Sequence, residues 1–138
     1  MNEQEIFRLI AAAMEQVPRA YAPYSRFHVG AAVLAEDGRI FTGCNVENAS
    51  YPAGICAERT AVSHAVSEGV RRLRAVCICG GPNGRIRDLC PPCGICRQVL
   101  REFADPEKLL VILAKGPEEY RLYTLAELLP VSFGPEAL

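Results

Sequence analysis

Residues 29–45 read Val29-Gly30-Ala31-Ala32-Val33-Leu34-Ala35-Glu36-Asp37-Gly38-Arg39-Ile40-Phe41-Thr42-Gly43-Cys44-Asn45. Two apolar runs, Val29 to Ala35 and Ile40 to Asn45, flank an Asp-Gly pair, the short-range signature of a β-hairpin. A hairpin is antiparallel, so any sheet it joins is not purely parallel. Upstream, Ile6, Leu9, Ile10, Ala13 and Val17 recur at three- and four-residue steps and Pro18 follows, which predicts an amphipathic helix. Downstream, Cys56 to Glu68 carries Ala57, Ala61, Val62, Ala65 and Val66 before Gly69, a second helix with a glycine stop. Arg74 to Cys79 is a short β-rich run that Gly80-Gly81-Pro82-Asn83-Gly84 ends in a loop. A third helix starts near Cys93, carries Cys96, Val99, Leu100 and Phe103 on one face, and stops before Pro106. Leu109 to Ala114 reads as a buried strand and Tyr120 to Tyr123 as a shorter one. Thr124-Leu125-Ala126-Glu127 has capping-box spacing and opens a short helix that Pro130 ends. Helices interleaved with short strands predict an α/β fold: a three-layer α-β-α arrangement with a mixed central sheet of about five strands.

Composition bounds what such a fold can do. The 138 residues fit one domain, 1–138, and a chain of this size buries roughly 65–70% of its unfolded surface, enough for a core without staples. Fifteen basic and sixteen acidic side chains give a net charge of −1, which argues against a nucleic-acid or membrane-surface binder. The N-terminal stretch is acidic at Glu3, Glu5 and Glu15, and the apolar runs fall far short of the ~20 residues that span a bilayer, so the expected location is the cytoplasm. Seven cysteines are too many for an average domain of this size and odd in number. In a reducing compartment they read as metal ligands or buried hydrophobes rather than disulfide partners.

Two clusters carry chemistry: Cys56-Ala57-Glu58 and Pro92-Cys93-Gly94-Ile95-Cys96, each at the start of a predicted helix. A C-x-x-C pair on a first turn puts both sulfurs on one side, where the helix dipole favours thiolate. A third thiolate from another helix N-terminus would give three ligands, and zinc with three protein ligands keeps a fourth position open for water. Glu58 lies two residues from Cys56 and does not share its face, so it is better placed to act on that water than to bind the metal. Three ligands (one histidine with two cysteines, or three cysteines), a non-ligand Glu and a P-C-x-x-C element are the parts of a zinc deaminase. Neither His28 nor His64 has a Glu two residues on, so the set here is the three-cysteine form.

Five ordered segments extend the likeness: Tyr24-Ser25-Arg26-Phe27 with Val29-Gly30-Ala31-Ala32, Gly43-Cys44-Asn45-Val46-Glu47-Asn48-Ala49, Cys56-Ala57-Glu58-Arg59-Thr60-Ala61, Pro92-Cys93-Gly94-Ile95-Cys96-Arg97-Gln98, and Glu127-Leu128-Leu129-Pro130 with Phe133. From Tyr21 to Phe133 the sequence resembles the small, homotetrameric class of cytidine deaminase. The resemblance implies one Zn2+ per subunit on Cys56, Cys93 and Cys96, with Glu58 as proton shuttle. It implies that Asn45 and Glu47 take the ribose hydroxyls, that Phe27 packs on the pyrimidine and that Ala57 offers backbone groups to the base. Arg59 resembles the residue whose guanidinium bonds the ligand thiolates. Tyr51 and Phe133 resemble residues that complete a pocket across a subunit boundary, giving a homotetramer with shared active sites. The implied reaction is hydrolytic deamination of cytidine and 2′-deoxycytidine in pyrimidine salvage.

Other readings stand beside these. Another aminopyrimidine nucleoside, such as a nucleoside antibiotic, would suit the same fold. A closed four-cysteine zinc module recruiting Cys90 or Cys44, or a redox dithiol, would be non-hydrolytic. Cys44, Cys77 and Cys79 read as buried hydrophobes. Cys90-Pro91-Pro92-Cys93 is a second C-x-x-C, but its prolines make it extended and remove N–H donors. Taken singly, Phe27 reads as core, Glu58 as a solvated first-turn acid, Asn45, Glu47, Arg59 and Arg97 as surface groups, and His64 as structural.

Overall fold

The computed structural model describes residues 1–138. Helix α1, Glu3–Gln16, begins with a reciprocal capping box between Asn2 and Glu5 and buries Ile6, Leu9, Ile10 and Ala13. Strands β1, Phe27–Ala35, and β2, Ile40–Cys44, form the antiparallel hairpin, with Gly38 at φ 95° in its turn. Helix α2, Ala57–Ser67, and strand β3, Leu73–Pro82, follow. Helix α3, Gly94–Glu102, then leads to β4, Leu110–Ala114, and β5, Tyr120–Thr124, before the one-turn helix α4, Leu125–Leu128.

The sheet order is β2-β1-β3-β4-β5. Only β3 and β4 pair in parallel, joined by the crossover through α3, and the other pairs are antiparallel. The sheet is therefore mixed, with five strands, as the hairpin required. Alternating residues of its strands feed two separate cores. One face packs on α1 through Leu9, Ile10, Ala32, Cys77, Cys79 and Ile112. The other packs on α2 and α3 through Val33, Ala61, Ile78, Leu100 and Val111. Fully burying a leucine such as Leu100 contributes about 1.5–3 kcal/mol, so the two faces together hold the three layers.

Two strand boundaries differ from the sequence reading by more than a single residue. β1 starts at Phe27, two residues early, and β3 runs through Gly80, Gly81 and Pro82, where a loop is expected. The reason is pairing: Phe27, His28 and Val29 lie opposite Pro82, Gly81 and Gly80, and this cross-strand ladder overrides the weak local β-propensity of Gly-Gly-Pro. Cys44 also departs from expectation. It is half-buried at the end of β2, where its Sγ donates to the Arg19 carbonyl at 3.5 Å, whereas Cys77 and Cys79 are fully buried.

Candidate active site

Cys56 and Cys93 are the N-caps of α2 and α3, and neither side chain caps its helix. Their sulfurs turn instead toward each other at 3.9 Å, and Cys96, one turn into α3, lies 3.6 Å from Cys93. The three Sγ atoms all fall within 4.8 Å of one another, with Cys96 buried, Cys56 half-buried and Cys93 exposed. Two helix N-termini thus converge on one sulfur cluster, and their dipoles favour negative charge there. Cys90 is outside this cluster.

Electrostatics set Cys56 and Cys96 apart. Hydrogen bonding from Cys96, and after it Arg59 and Cys93, draws the Cys56 thiol down to about 5, against the opposing effect of burial. The Cys96 thiol moves the opposite way, raised by its bond to Cys56, by burial and by the charges of Glu58 and Cys56. Three thiolates this close would repel one another and call for a cation. Arg59 sits beside them: Nη2 donates to Cys56 Sγ at 3.7 Å, and its buried Nε has no acceptor. Three convergent soft donors with one guanidinium against them fit a zinc ion, held on three sides.

Glu58 follows Ala57 in the first turn of α2 and is only 4% exposed. This differs from a solvated first-turn acid. Burial, opposed by a bond from its own backbone and reinforced by the Cys56 charge, raises its carboxyl to about 7. A carboxyl poised there both accepts and returns a proton near neutral pH. Ala57 is fully buried, and as the first helical residue its N–H has no intrahelical acceptor.

The loops at the ends of β1 and β2 supply a cleft of about 360 Å³ lined by Tyr24, Ser25, Glu47, Asn48, Tyr51 and Gly54. Asn45 spends both amide atoms on β1: Nδ2 donates to the Phe27 carbonyl and Oδ1 accepts from Val29 N–H, each at 2.8 Å. That fixes the strand end from which Phe27, 39% exposed, projects. The Glu47 carboxylate accepts from the Tyr24 and Ser25 N–H groups at 3.0 and 3.1 Å and from the Ser25 hydroxyl. Ser25 Oγ in turn accepts from Phe27 N–H at 3.0 Å. Tyr51, 75% exposed, leans on Tyr24 with ring centroids 5.9 Å apart. Phe133 is exposed on the C-terminal tail.

Ser25 and Tyr24 carry no assigned role in the sequence, although both lie in a quoted segment; only the fold brings them to Glu47. Arg97 is not an ordinary surface charge: Nε donates to the Pro92 carbonyl at 2.8 Å and Nη1 to the Leu128 carbonyl at 2.6 Å. It ties the segment before Cys93 to the end of α4. His64 packs edge-on against Phe41 at 5.2 Å, a structural contact.

A five-stranded mixed sheet presenting three thiols and a buried carboxyl at two helix N-termini is the frame of a zinc-dependent deaminase. The family model for the cytidine and deoxycytidylate deaminase zinc-binding region matches residues 3–113. A cytidine deaminase of Sporosarcina psychrophila is 43% identical over 134 residues, covering 97% of this chain and 95% of that protein. A probable cytidine deaminase of Dictyostelium discoideum is 41% identical over 138 residues, 100% of this chain and 90% of that one. The crystal structure of cytidine deaminase from Burkholderia pseudomallei matches with a TM-score of 0.83 at 41% identity, covering 96% of this chain and 100% of that one. The chain belongs to the zinc-dependent cytidine and deoxycytidylate deaminase family.

Proposed function

We propose that this chain converts cytidine and 2′-deoxycytidine, with water, to uridine and 2′-deoxyuridine and ammonia, as a single deaminase domain spanning residues 1–138. The observation that carries this reading is the buried Glu58 carboxyl beside the three-sulfur cluster. Zinc bound by Cys56, Cys93 and Cys96 would acidify a water. Arg59, donating to Cys56, offsets part of the thiolate charge that would otherwise oppose that acidity.

Glu58 takes a proton from the attacking water and delivers it to ring N3, which makes C4 electrophilic. The water oxygen bonds to C4. Glu58 then carries the remaining proton of that oxygen to the exocyclic amine, the C4–N bond breaks with its electron pair on nitrogen, and ammonia leaves a C4 carbonyl. Each proton that Glu58 accepts it returns, so the carboxylate is regenerated. Phe27 packs on the pyrimidine and the Ala57 backbone bonds the base. Glu47, in the cleft, and Asn45, two residues before it, take the ribose hydroxyls. A near-neutral chain offers little to a polynucleotide backbone, which supports a free nucleoside as substrate.

Tyr51 and Phe133, both exposed on the single chain, complete the pocket of a neighbouring subunit in a homotetramer. No helix is long and apolar enough to cross a membrane, and the proposed setting is the cytoplasm.

The test is loss of cytidine absorbance on adding the purified protein, before and after removal of zinc by a chelator. Turnover is expected only with the metal present. Glu58→Gln is expected to keep one zinc per chain and lose about a thousandfold or more of kcat, since the acid-base step is gone. Near-normal kcat in that variant would overturn the mechanism.

A further inference from the structure

Helix α3 does more than supply Cys96. Beyond its first turn it grips the C-terminal segment. Gln98 Nε2 donates to the Phe133 carbonyl at 3.0 Å, and Arg101 Nε donates to Ser132 Oγ at 2.8 Å. Arg101 Nη2 also pairs with the Glu136 carboxylate. The Arg101 side chain is 9% exposed, and its guanidinium lies against Gly134, where an added Cβ would sit 2.4 Å from Cζ.

This arrangement does not serve the core. Val131 and Phe133 are exposed, and neither belongs to the two hydrophobic clusters. Val131 also stands at φ 49°, a conformation that strains a β-branched residue. Burying a guanidinium is costly unless it is bonded, and here its partners belong to a tail that buries little apolar surface of its own. What the clamp fixes is the direction in which Phe133 leaves the molecule.

We propose that Arg101 is a positioning residue for substrate binding: it holds the tail so that Phe133 is delivered into the pocket of a second copy of this chain. The inference rests on the reading that Phe133 completes a neighbour's pocket. It adds a buried cation that sets where that aromatic stands. Arg101 touches no substrate and takes no part in proton transfer.

Two variants release the tail by different routes. Arg101→Ala removes the cation, and Gly134→Ala sets a Cβ against the guanidinium, so that the flexible Arg101 side chain must swing away from Ser132 and Glu136. Both are expected to raise KM for cytidine about fivefold or more, with kcat within about twofold and zinc content unchanged, as when binding contacts alone are lost. If Arg101→Ala fails to fold, Gly134→Ala carries the test. Each is then co-expressed with Glu58→Gln, which has an intact tail and no turnover of its own. In mixed assemblies, about half of the competent sites receive an intact tail and regain the wild-type KM, because subunits combine at random. An unchanged KM in the folded variants would overturn the proposal, as would the absence of a low-KM population on mixing. Failure of the wild-type protein to deaminate cytidine would instead overturn the underlying function, and the two failures are read from separate arms.

Discussion

At the scale of residues, position and surroundings decide which of several similar side chains does chemistry. Cys90 and Cys93 stand in the same C-x-x-C, yet burial, followed by the charge of Glu58, pushes the Cys90 thiol up to about 12. Cys96 is raised as well, so what sets Cys90 apart is position: its sulfur lies outside the cluster that Cys56, Cys93 and Cys96 form. Cys90→Ala is expected to keep one zinc per chain by elemental analysis, and loss of the metal would break the three-ligand assignment. Glu47 illustrates the opposite shift. The Ser25 hydroxyl, then the Ser25 and Tyr24 amides, hold its carboxyl below the usual 4.5. A group whose folded pKa lies below its unfolded one stabilises the fold above the unfolded value and loses that contribution as pH falls through the folded one. Carboxyl-carbon NMR is expected to give a Glu47 midpoint below 4.5, moving upward in Ser25→Ala; a wild-type midpoint at or above 4.5 would contradict the loop geometry.

At the scale of elements, the site depends on how closely α2 lies on β2. A Cβ at Gly43 would meet the Ala61 nitrogen at 2.5 Å and Thr60 Cβ at 2.7 Å, both on α2. Only glycine lets the helix sit that near the strand, and α2 carries Cys56 at its cap and Glu58 in its first turn. Gly43→Ala is expected to cost about 1–3 kcal/mol of stability, as overpacking does, visible as a lowered melting temperature. Because the shift moves α2 relative to α3, it is expected to weaken zinc retention as well. A variant with unchanged melting and metal content would show that the contact has room to relax. The periodicity of α2 and the turn of the hairpin are both readable in the sequence, since each is a local pattern. The extension of β3 through Gly80, Gly81 and Pro82 is not, because a partner strand some fifty residues earlier in the chain imposes it.

At the scale of the whole molecule, the single chain leaves Tyr51 in the cleft, Ile95 in the first turn of α3, and Val131 and Phe133 on the C-terminal segment exposed. Exposed aromatic and aliphatic groups of this kind suit burial between copies. Sedimentation is expected to show a tetramer, and a monomer with full activity would refute shared sites. The sequence alone determined the layered α/β order, the mixed character of the sheet, the three candidate ligands and the acid beside them. Those rest on short-range signals: periodicity, turn chemistry and residue spacing within one helical turn. Tertiary structure decided the rest. It buried Glu58, left Cys90 outside the cluster, bound Glu47 to Ser25, turned Arg97 from a surface charge into a tie on the C-terminal segment, and made Arg101 a second such tie. Burial and hydrogen-bond partnership depend on residues roughly 20 to 40 positions apart in sequence, and no local pattern encodes which of them meet.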